Sequence, residues 1–174
     1  MQSRLILNSQ QIAIITQRLC HQAIETHADF EQSVVIGLQP RGIFFSLPIV
    51  ENLEKILGKK ITYGQLDTTF HRDDFRRNNK IMLPEDTTIN FEIEDKKVLL
   101  IDDVLFTGRT IRAGFDALLD FGRPKKVELM VLVNRRYSRQ FPIEPDYCGI
   151  HVDTLENQRI VADLTANEVW LKHD

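Results

Sequence analysis

Cysteine, long apolar runs and an excess of basic residues are all scarce or missing in this sequence. The two cysteines, Cys20 and Cys148, lie far apart and form no CxxC spacing, which argues against a disulfide framework and a cysteine-based metal site. No run approaches the roughly 18 consecutive apolar residues of a membrane span, and the N-terminal residues lack the apolar core of a signal peptide. We therefore expect a cytoplasmic protein with reduced thiols and no membrane contact.

The balance of charge also limits the expected partners. Lys and Arg number 22 and Asp and Glu number 25, for a formal net charge of −3, whereas general nucleic-acid binders usually carry a basic excess. The chain has 174 residues, of which 43% are hydrophobic. This suits a single domain over residues 1–174, with a core that needs no metal ion or disulfide.

Short apolar runs alternate with helical periodicity along the chain. Ile12, Ile15 and Leu19 recur on one helical face, Ser9 is a candidate N-cap, and Gly58 suits the end of a second helix. The predicted helices cover residues 9–27, 43–57 and 109–121. The predicted strands cover residues 33–38, 61–70, 96–102 and 127–134, with shorter strands near 147–151, 159–162 and 169–171. This order predicts an α/β fold with a parallel sheet. Ligands of such sheets bind at the carboxyl ends of the strands. Here the loops 39–42, 71–93 and 102–110 follow those ends.

The most informative segment runs from Val98 to Thr110. Four apolar residues lead into Asp102 and Asp103, and Thr-Gly-Arg-Thr then opens a helix. N–H groups at a helix N-terminus bind anions, and Gly108 permits a close approach of the backbone. A phosphate held there would repel both carboxylates, which instead suit neutral hydroxyls, such as those of a ribose diol, or a cation. An acidic pair that merely caps a helix is the alternative, but the complete pattern is more specific than that. It matches neither a Walker A loop nor GxGxxG.

Residues 98–110 resemble the 5-phosphoribosyl-1-pyrophosphate (PRPP) motif of type I phosphoribosyltransferases. The likeness extends over roughly residues 5–165 to the PyrR family of uracil phosphoribosyltransferases and pyrimidine-operon attenuators. It is carried by VIGLQPRGIFF (35–45), GQLDTTFHRDD (64–74), residues 96–135 and FPIEPDY (141–147). It implies a single-domain type I phosphoribosyltransferase fold, with a central parallel sheet flanked by helices. It also implies a mobile loop over residues 71–93 and a small C-terminal hood over about 135–165.

The resemblance further implies roles for individual residues. Ribose and 5-phosphate contacts fall to Asp102, Asp103, Leu105, Phe106, Thr107, Gly108, Arg109 and Thr110, pyrophosphate contacts to Pro40, Arg41, Gly42, Arg72 and Asp73, and base contacts to Val133 and Arg135. Asp102, Asp103 and Arg72 are the predicted catalytic residues, with Arg72 neutralising the leaving pyrophosphate. Mg²⁺ is expected to arrive with PRPP rather than on a site of the protein alone. The Gln39–Pro40 peptide bond is predicted to be cis.

The implied reaction converts uracil and PRPP to UMP and pyrophosphate. One alternative is a UMP- or UTP-sensing regulator that binds leader mRNA and has little enzyme activity, and a weaker one is transfer to a purine base. RNA binding is favoured by Arg18, His21, Arg135, Arg136 and Arg139. It is disfavoured by Gln17, Glu144 and Ile150, which replace a threonine and two cations of the family and should weaken a phosphate-dominated interface. The resemblance also implies a homodimer or larger homo-oligomer.

Overall fold

Within the part of the chain that the structure describes, five strands pair in parallel to form the central sheet, and three more form a small antiparallel sheet. The computed structural model describes residues 3–73 and 86–173. The helices are α1 (Ser9–His27), α2 (Ile43–Leu57) and α3 (Arg109–Leu118). The strands are β1 (Ser3–Leu7), β2 (Ser33–Leu38), β3 (Tyr63–Leu66), β4 (Lys97–Leu105), β5 (Lys126–Arg136), β6 (Tyr147–Asp153), β7 (Gln158–Asp163) and β8 (Glu168–His173).

The central sheet has the strand order β3-β2-β4-β5-β6, and all neighbours are parallel. β2 is buried along its whole length, and apolar residues fill the middle of β4 and β5, as expected for strands covered on both faces. Val35 and Leu99 pack with α1 and α2 on one face, whereas Ile36 and Leu100 pack with α3 on the other. The predicted α/β fold with a parallel sheet is confirmed.

The first two helices have the predicted bounds, but the cap of α1 differs from the prediction. Asn8, not Ser9, is the N-cap: Asn8 Oδ1 accepts a hydrogen bond from the Gln11 N–H at 2.9 Å, and Gln11 Oε1 accepts one from the Asn8 N–H at 3.0 Å. This reciprocal pair satisfies two backbone donors that a helix start would otherwise leave open. Gly58 ends α2 as predicted, with a φ of 65°.

The small sheet has the order β1-β8-β7 and combines both ends of the described chain. The sequence predicts the hood over about 135–165, but β6 within that span belongs to the central sheet. The separate sheet is formed instead by residues 3–7 and 158–173. β1 escapes prediction because five residues directly before a helix cap carry no turn signal or sustained alternation of their own.

The region after β3 also differs from the sequence prediction. β3 is shorter than predicted and is followed by a 3₁₀ turn at Thr69–His71. Of the predicted mobile loop over 71–93, residues 74–85 lie outside the described residues. Its last part is packed, since Ile89 and Ile93 are buried. The described helices include none that is long and apolar enough to cross a bilayer.

Candidate active site

Two adjacent carboxylates lie at the carboxyl end of β4, in the middle of the central sheet. Asp102 and Asp103 are each 6% exposed. Asp102 Oδ1 accepts a hydrogen bond from the Asp103 N–H at 2.9 Å, and Asp103 Oδ1 accepts one from the Val104 N–H at 2.8 Å. Burial, together with the neighbouring charge of Asp103, raises the pKa of Asp102 well above its usual range. The pair is therefore a buried acceptor site that the local backbone holds in place.

The loop between β2 and α2 brings a cation to this pair. Arg41 Nε lies 3.1 Å from Asp103 Oδ2. The same guanidinium donates from Nη2 to Ala162 O of β7 at 2.8 Å. Arg41 thus connects the carboxylates to the small sheet.

Gly42 shows how tightly this loop packs against β4. A Cβ at this position would lie 2.8 Å from Ile101 O and 2.9 Å from Asp102 Oδ1, so a larger residue would displace the backbone or the carboxylate. The Gln39–Pro40 peptide bond of the loop is cis, as predicted. The structure therefore places the predicted pyrophosphate loop directly beside the carboxylate pair.

Residues 105–110 leave β4 and open α3, as the motif predicts. Gly108 is the N-cap and has a φ of 87°, a left-handed conformation that suits glycine. The loop lines a cavity of about 330 Å³ that also reaches Asp102. N–H groups in the first turn of a helix have no intrahelical acceptor. Thr107 and Thr110, which carry hydroxyl groups, line the same cavity. The cavity therefore combines the donors that an anion needs with a carboxylate at its edge.

Two residues predicted to contact pyrophosphate lie beside the 5-phosphate loop. Arg72 lines the same cavity, and its Nη1 donates to Thr110 Oγ1 at 3.4 Å. Asp73 forms an ion pair with Arg109. The start of the predicted mobile loop is therefore bound to the start of α3 in this structure, whereas Arg41 lies at the carboxylates.

Phe106 and Arg135 border a second cavity, of about 190 Å³, that lies next to Asp103. The Phe106 side chain is half exposed, and Arg135 Cζ lies 3.9 Å from its ring centroid. Arg135 is itself buried, and its Nη2 donates to Gln158 O at 2.8 Å. Val133, the other predicted base contact, is fully buried in the core. Arg135 thus lies beside the cleft, whereas the Val133 side chain packs inside the protein.

Two residues that line these cavities carry no signal in the sequence. Gln140 borders the first cavity and accepts a hydrogen bond from Arg109 Nε at 2.6 Å. Ile160 of β7 borders the second cavity. A single glutamine in a loop or a single isoleucine in a strand has no distinguishing pattern. Their place in the site follows from tertiary contacts with distant parts of the chain.

Several cations that could favour RNA binding are engaged within the protein. Arg18 Nη2 donates to Cys148 O at 3.2 Å and to Gly149 O at 2.6 Å, both on β6. Arg136 Nε lies 2.7 Å from Asp153 Oδ1. Asp153 thus offsets the charge of Arg136, whereas Arg18 bonds to backbone carbonyl groups and keeps its charge.

Positions 17, 144 and 150, which depart from the family pattern, carry no positive charge. Gln17 is exposed on α1, and Ile150 packs against the core. Glu144 Oε1 lies 3.6 Å from Arg139 Nε. The Arg139 side chain is only 16% exposed, so it faces the protein interior rather than a partner.

Comparisons with known proteins agree with this geometry. Residues 3–168 match the phosphoribosyl transferase domain family. The bifunctional protein PyrR of Halalkalibacterium halodurans is 41% identical over 165 residues, which cover 94% of this chain and 91% of that protein. The bifunctional protein PyrR of Bacillus subtilis is 38% identical over the same shares of both chains. That of Desulfosudis oleivorans is 44% identical over 149 residues, covering 86% of this chain and 82% of that protein.

Solved structures show the same fold at much lower identity. A hypoxanthine phosphoribosyltransferase from Staphylococcus aureus superposes with a TM-score of 0.68 at 19% identity, covering 86% of this chain and 77% of that one. A hypoxanthine-guanine-xanthine phosphoribosyltransferase superposes with a TM-score of 0.67 at 18% identity, covering 91% and 82%. The type I phosphoribosyltransferase fold is thereby confirmed. The chain belongs to the phosphoribosyltransferase family and, within it, to the PyrR proteins.

Proposed function

We propose that this phosphoribosyltransferase transfers the 5-phosphoribosyl group of PRPP to uracil and releases pyrophosphate. One observation carries the proposal: a buried carboxylate pair is followed directly by the start of α3 within residues 102–110. Asp102 and the first turn of α3 line the same cavity, and Asp103 borders the second cavity beside it. A ligand with a ribose diol next to a phosphate matches that order of acceptors and donors.

In the proposed reaction, Asp102 and Asp103 accept hydrogen bonds from the ribose hydroxyls, and the start of α3 binds the 5-phosphate. Arg41, beside Asp103, donates to pyrophosphate oxygens. Arg72 and Asp73 belong to the segment that closes over PRPP, and Arg72 neutralises the leaving group. The bond from ribose C1 to pyrophosphate breaks and pyrophosphate keeps the electron pair. Uracil N1 forms the new bond and loses its proton. Catalysis then depends on positioning and charge neutralisation.

Magnesium enters this proposal as part of the substrate complex. Asp102 and Asp103 offer carboxylate oxygens, the ligand type that Mg²⁺ prefers, and they lie where ribose and pyrophosphate oxygens are expected. The ion would neutralise part of the pyrophosphate charge. Within residues 3–73 and 86–173, no group of three or more His, Cys, Asp or Glu side chains could hold a metal ion.

Uracil is the proposed acceptor because the chain is a PyrR protein and because the second cavity suits a flat base. That cavity adjoins Asp103, so a base bound there would be close to the ribose. Phe106 and Ile160 supply apolar surface and Arg135 supplies a cation at its border. Stacking and apolar contact of this kind favour an aromatic base over a more polar acceptor.

The test is a PRPP-dependent assay with Mg²⁺ against uracil, hypoxanthine, guanine, adenine and orotate. We expect UMP formation with uracil and at least about a 10-fold lower kcat/KM in Asp103→Asn, because hydrogen bonds to charged groups contribute about 1.5–3 kcal/mol. Asp29→Asn is the matched control, since Asp29 is an exposed carboxylate that pairs with Lys59 at 3.4 Å and should leave kcat/KM unchanged. Turnover of a purine base in place of uracil would contradict the proposal.

A second candidate is a regulator that senses UMP or UTP and binds RNA, because the relatives are named bifunctional. The same site would then bind nucleotide without turning it over. The carboxylate partners of Arg136 and Arg139 favour the enzyme over this alternative, because they offset positive charge that RNA phosphates would require. UMP binding without turnover of any base would favour the regulator, and leader-RNA binding would be measured next.

A further inference from the structure

Arg139 lies behind the 5-phosphate loop and contacts its backbone. Its Nη1 donates to Phe106 O and lies 3.4 Å from Leu105 O. Residues 105–110 line the phosphate cavity, whereas Arg139 does not belong to its wall. The guanidinium therefore contacts the backbone of the loop without lining the cavity.

The same guanidinium is anchored to the segment from which it projects. Its Nε donates to Ile143 O at 2.8 Å, its Nη1 donates to Arg135 O at 3.1 Å, and its Nη2 donates to Asn134 Oδ1. All three nitrogens are thus engaged, and the side chain is largely buried. A planar group fixed at all of its donors holds its partners in one arrangement.

The residues that follow Arg139 extend this contact along the loop. The N–H groups of Gln140 and Phe141 both donate to Thr107 O, at 2.9 and 3.2 Å. The carbonyl groups of three successive loop residues, 105, 106 and 107, therefore all accept hydrogen bonds from the segment 139–141.

These contacts matter because a peptide unit is planar. The N–H of each residue points away from the C=O of the residue before it. Carbonyl groups held towards Arg139 therefore turn the N–H groups of residues 106–108 away from its guanidinium, and these residues line the cavity. N–H groups fixed in this way bind an anion without reorganisation, and the charge on Arg139 polarises them further.

We infer that Arg139 is a positioning residue of the 5-phosphate site, which sets the affinity of the loop for the phosphate of PRPP without touching it. This inference rests on the proposed function only for the identity of the substrate. The phosphate site itself can be tested without turnover, with ribose 5-phosphate as the probe.

The experiment compares Arg139→Met with wild type and with Arg136→Met. Arg136 is a nearby exposed guanidinium that pairs with Asp153 and has no part in the phosphate loop, so it controls for the loss of one positive charge. Misplacement of a binding group by about 1 Å can lower the reaction rate about 100-fold. In Arg139→Met we expect KM for PRPP and Kd for ribose 5-phosphate to rise at least about 10-fold, with KM for uracil unchanged. Arg139→Lys keeps the charge but not the planar fork. Its KM for PRPP and its Kd for ribose 5-phosphate should lie between those of wild type and those of Arg139→Met.

The outcomes separate positioning from folding and from the proposed reaction. A merely structural role would lower kcat with the folded fraction and leave KM and Kd unchanged, which would overturn the inference. An equal loss of phosphate affinity in Arg136→Met would overturn it too, because the effect would then be one of net charge. If Arg139→Met does not fold, the same shifts in Arg139→Lys decide the question. If wild type turns over no base but binds ribose 5-phosphate more tightly than Arg139→Met, the inference stands and the proposed reaction fails.

Discussion

Asp103 and Glu128 lie at opposite ends of neighbouring strands in the same sheet, and they are almost equally buried, at 6% and 4% exposure. Asp103 is at the carboxyl end of β4, where the cavities lie. Glu128 is near the amino end of β5, beneath α1. Burial of a carboxylate costs free energy unless it gains partners, so the two residues pose the same problem and can be compared directly.

Glu128 gains its partners from the protein itself. Lys126 Nζ lies 2.6 Å from Glu128 Oε1, and His27 Nε2 lies 2.8 Å from Glu128 Oε2. The Tyr147 hydroxyl donates to the same Oε2 at 3.5 Å. His27 in turn contacts Ser33 Oγ at 2.8 Å through Nδ1. These residues, the Glu128 cluster, bring protein side chains to both oxygens of the carboxylate.

The carboxylate pair is less completely matched. Asp102 and Asp103 face one guanidinium, that of Arg41, whose side chain is more than half exposed. Burial, and next the neighbouring charge of Asp103, raises the pKa of Asp102. The two buried acidic sites thus differ in their partners. Glu128 contacts three side chains, whereas among the described residues the pair contacts one guanidinium and backbone N–H groups, and it is the pair that borders a cavity.

The largest expected effect comes from breaking the Glu128 cluster. Glu128→Ala removes a buried acceptor and leaves the donors of His27 and Tyr147 without it, and each buried polar group left unpaired costs about 1–3 kcal/mol. For a protein of this size, each kcal/mol corresponds to roughly 2–4 °C in Tm. We therefore expect a large drop in Tm, measured by calorimetry, with KM values unchanged at temperatures well below the transition. Glu128→Gln, which keeps the shape and part of the hydrogen bonding, should lose less. A rise in the KM for PRPP without a change in Tm would show that the two ends of the sheet do not have separate roles.

The sequence predicts one of these two sites and not the other. Asp102 and Asp103 are adjacent in the chain and lead directly into the Thr-Gly turn, so local order alone indicates a ribose and a phosphate. Glu128 is a single charge within an apolar strand, and its partners at 27, 126 and 147 are brought together by the fold. A pattern of nearby residues can reveal a site built from one loop, but not one built across three elements.

The same reason explains what was missed elsewhere. The core helices and strands follow from periodicity and apolar runs, and their predicted positions are largely confirmed. β1 and its pairing with β8 depend on contact between the two ends of the chain. The role inferred for Arg139 depends on carbonyl groups more than 30 residues away. Sequence order therefore predicts the end of the sheet where the cavities lie, whereas the supporting contacts behind the loop required the structure.

Asp102→Asn is expected to raise the Tm, by less than Glu128→Ala lowers it. The pKa of Asp102 is raised in the folded protein above its value of about 3.9 in the unfolded chain. Below both values the carboxyl is protonated in both states and burial costs little. As the pH rises through the folded pKa, ionisation in the buried site removes stability. Asn has no such charge, so the variant should have a higher Tm than wild type at pH 8, and the difference should shrink as the pH falls towards 4.

The control for this prediction is the neighbouring carboxylate. Asp103→Asn leaves Arg41 without its partner at 3.1 Å, so it should bring no comparable rise in Tm. Thermal unfolding of both variants across the pH range measures the contrast. A Tm for Asp102→Asn below that of wild type at every pH would mean that the carboxylate pair is as well matched as Glu128, and the comparison between the two ends would fail.

The smallest change in Tm is expected from Ser33→Ala, which removes a hydroxyl at the edge of the Glu128 cluster. Desolvation outweighs the attraction of Glu128 and lowers the pKa of His27, so the buried ring is neutral at neutral pH and one ring nitrogen needs a donor. The Ser33 hydroxyl lies 2.8 Å from Nδ1, and its loss should cost about 1 kcal/mol. Thermal unfolding at pH 8 should show a Tm lower by roughly 2–4 °C, while Ser3→Ala, at an exposed serine, should show no change. A Ser33→Ala variant as stable as wild type would mean that His27 gains nothing from the serine. The Glu128 carboxylate would then be stabilised by Lys126 and Tyr147 alone, that is, by fewer partners than the distances indicate.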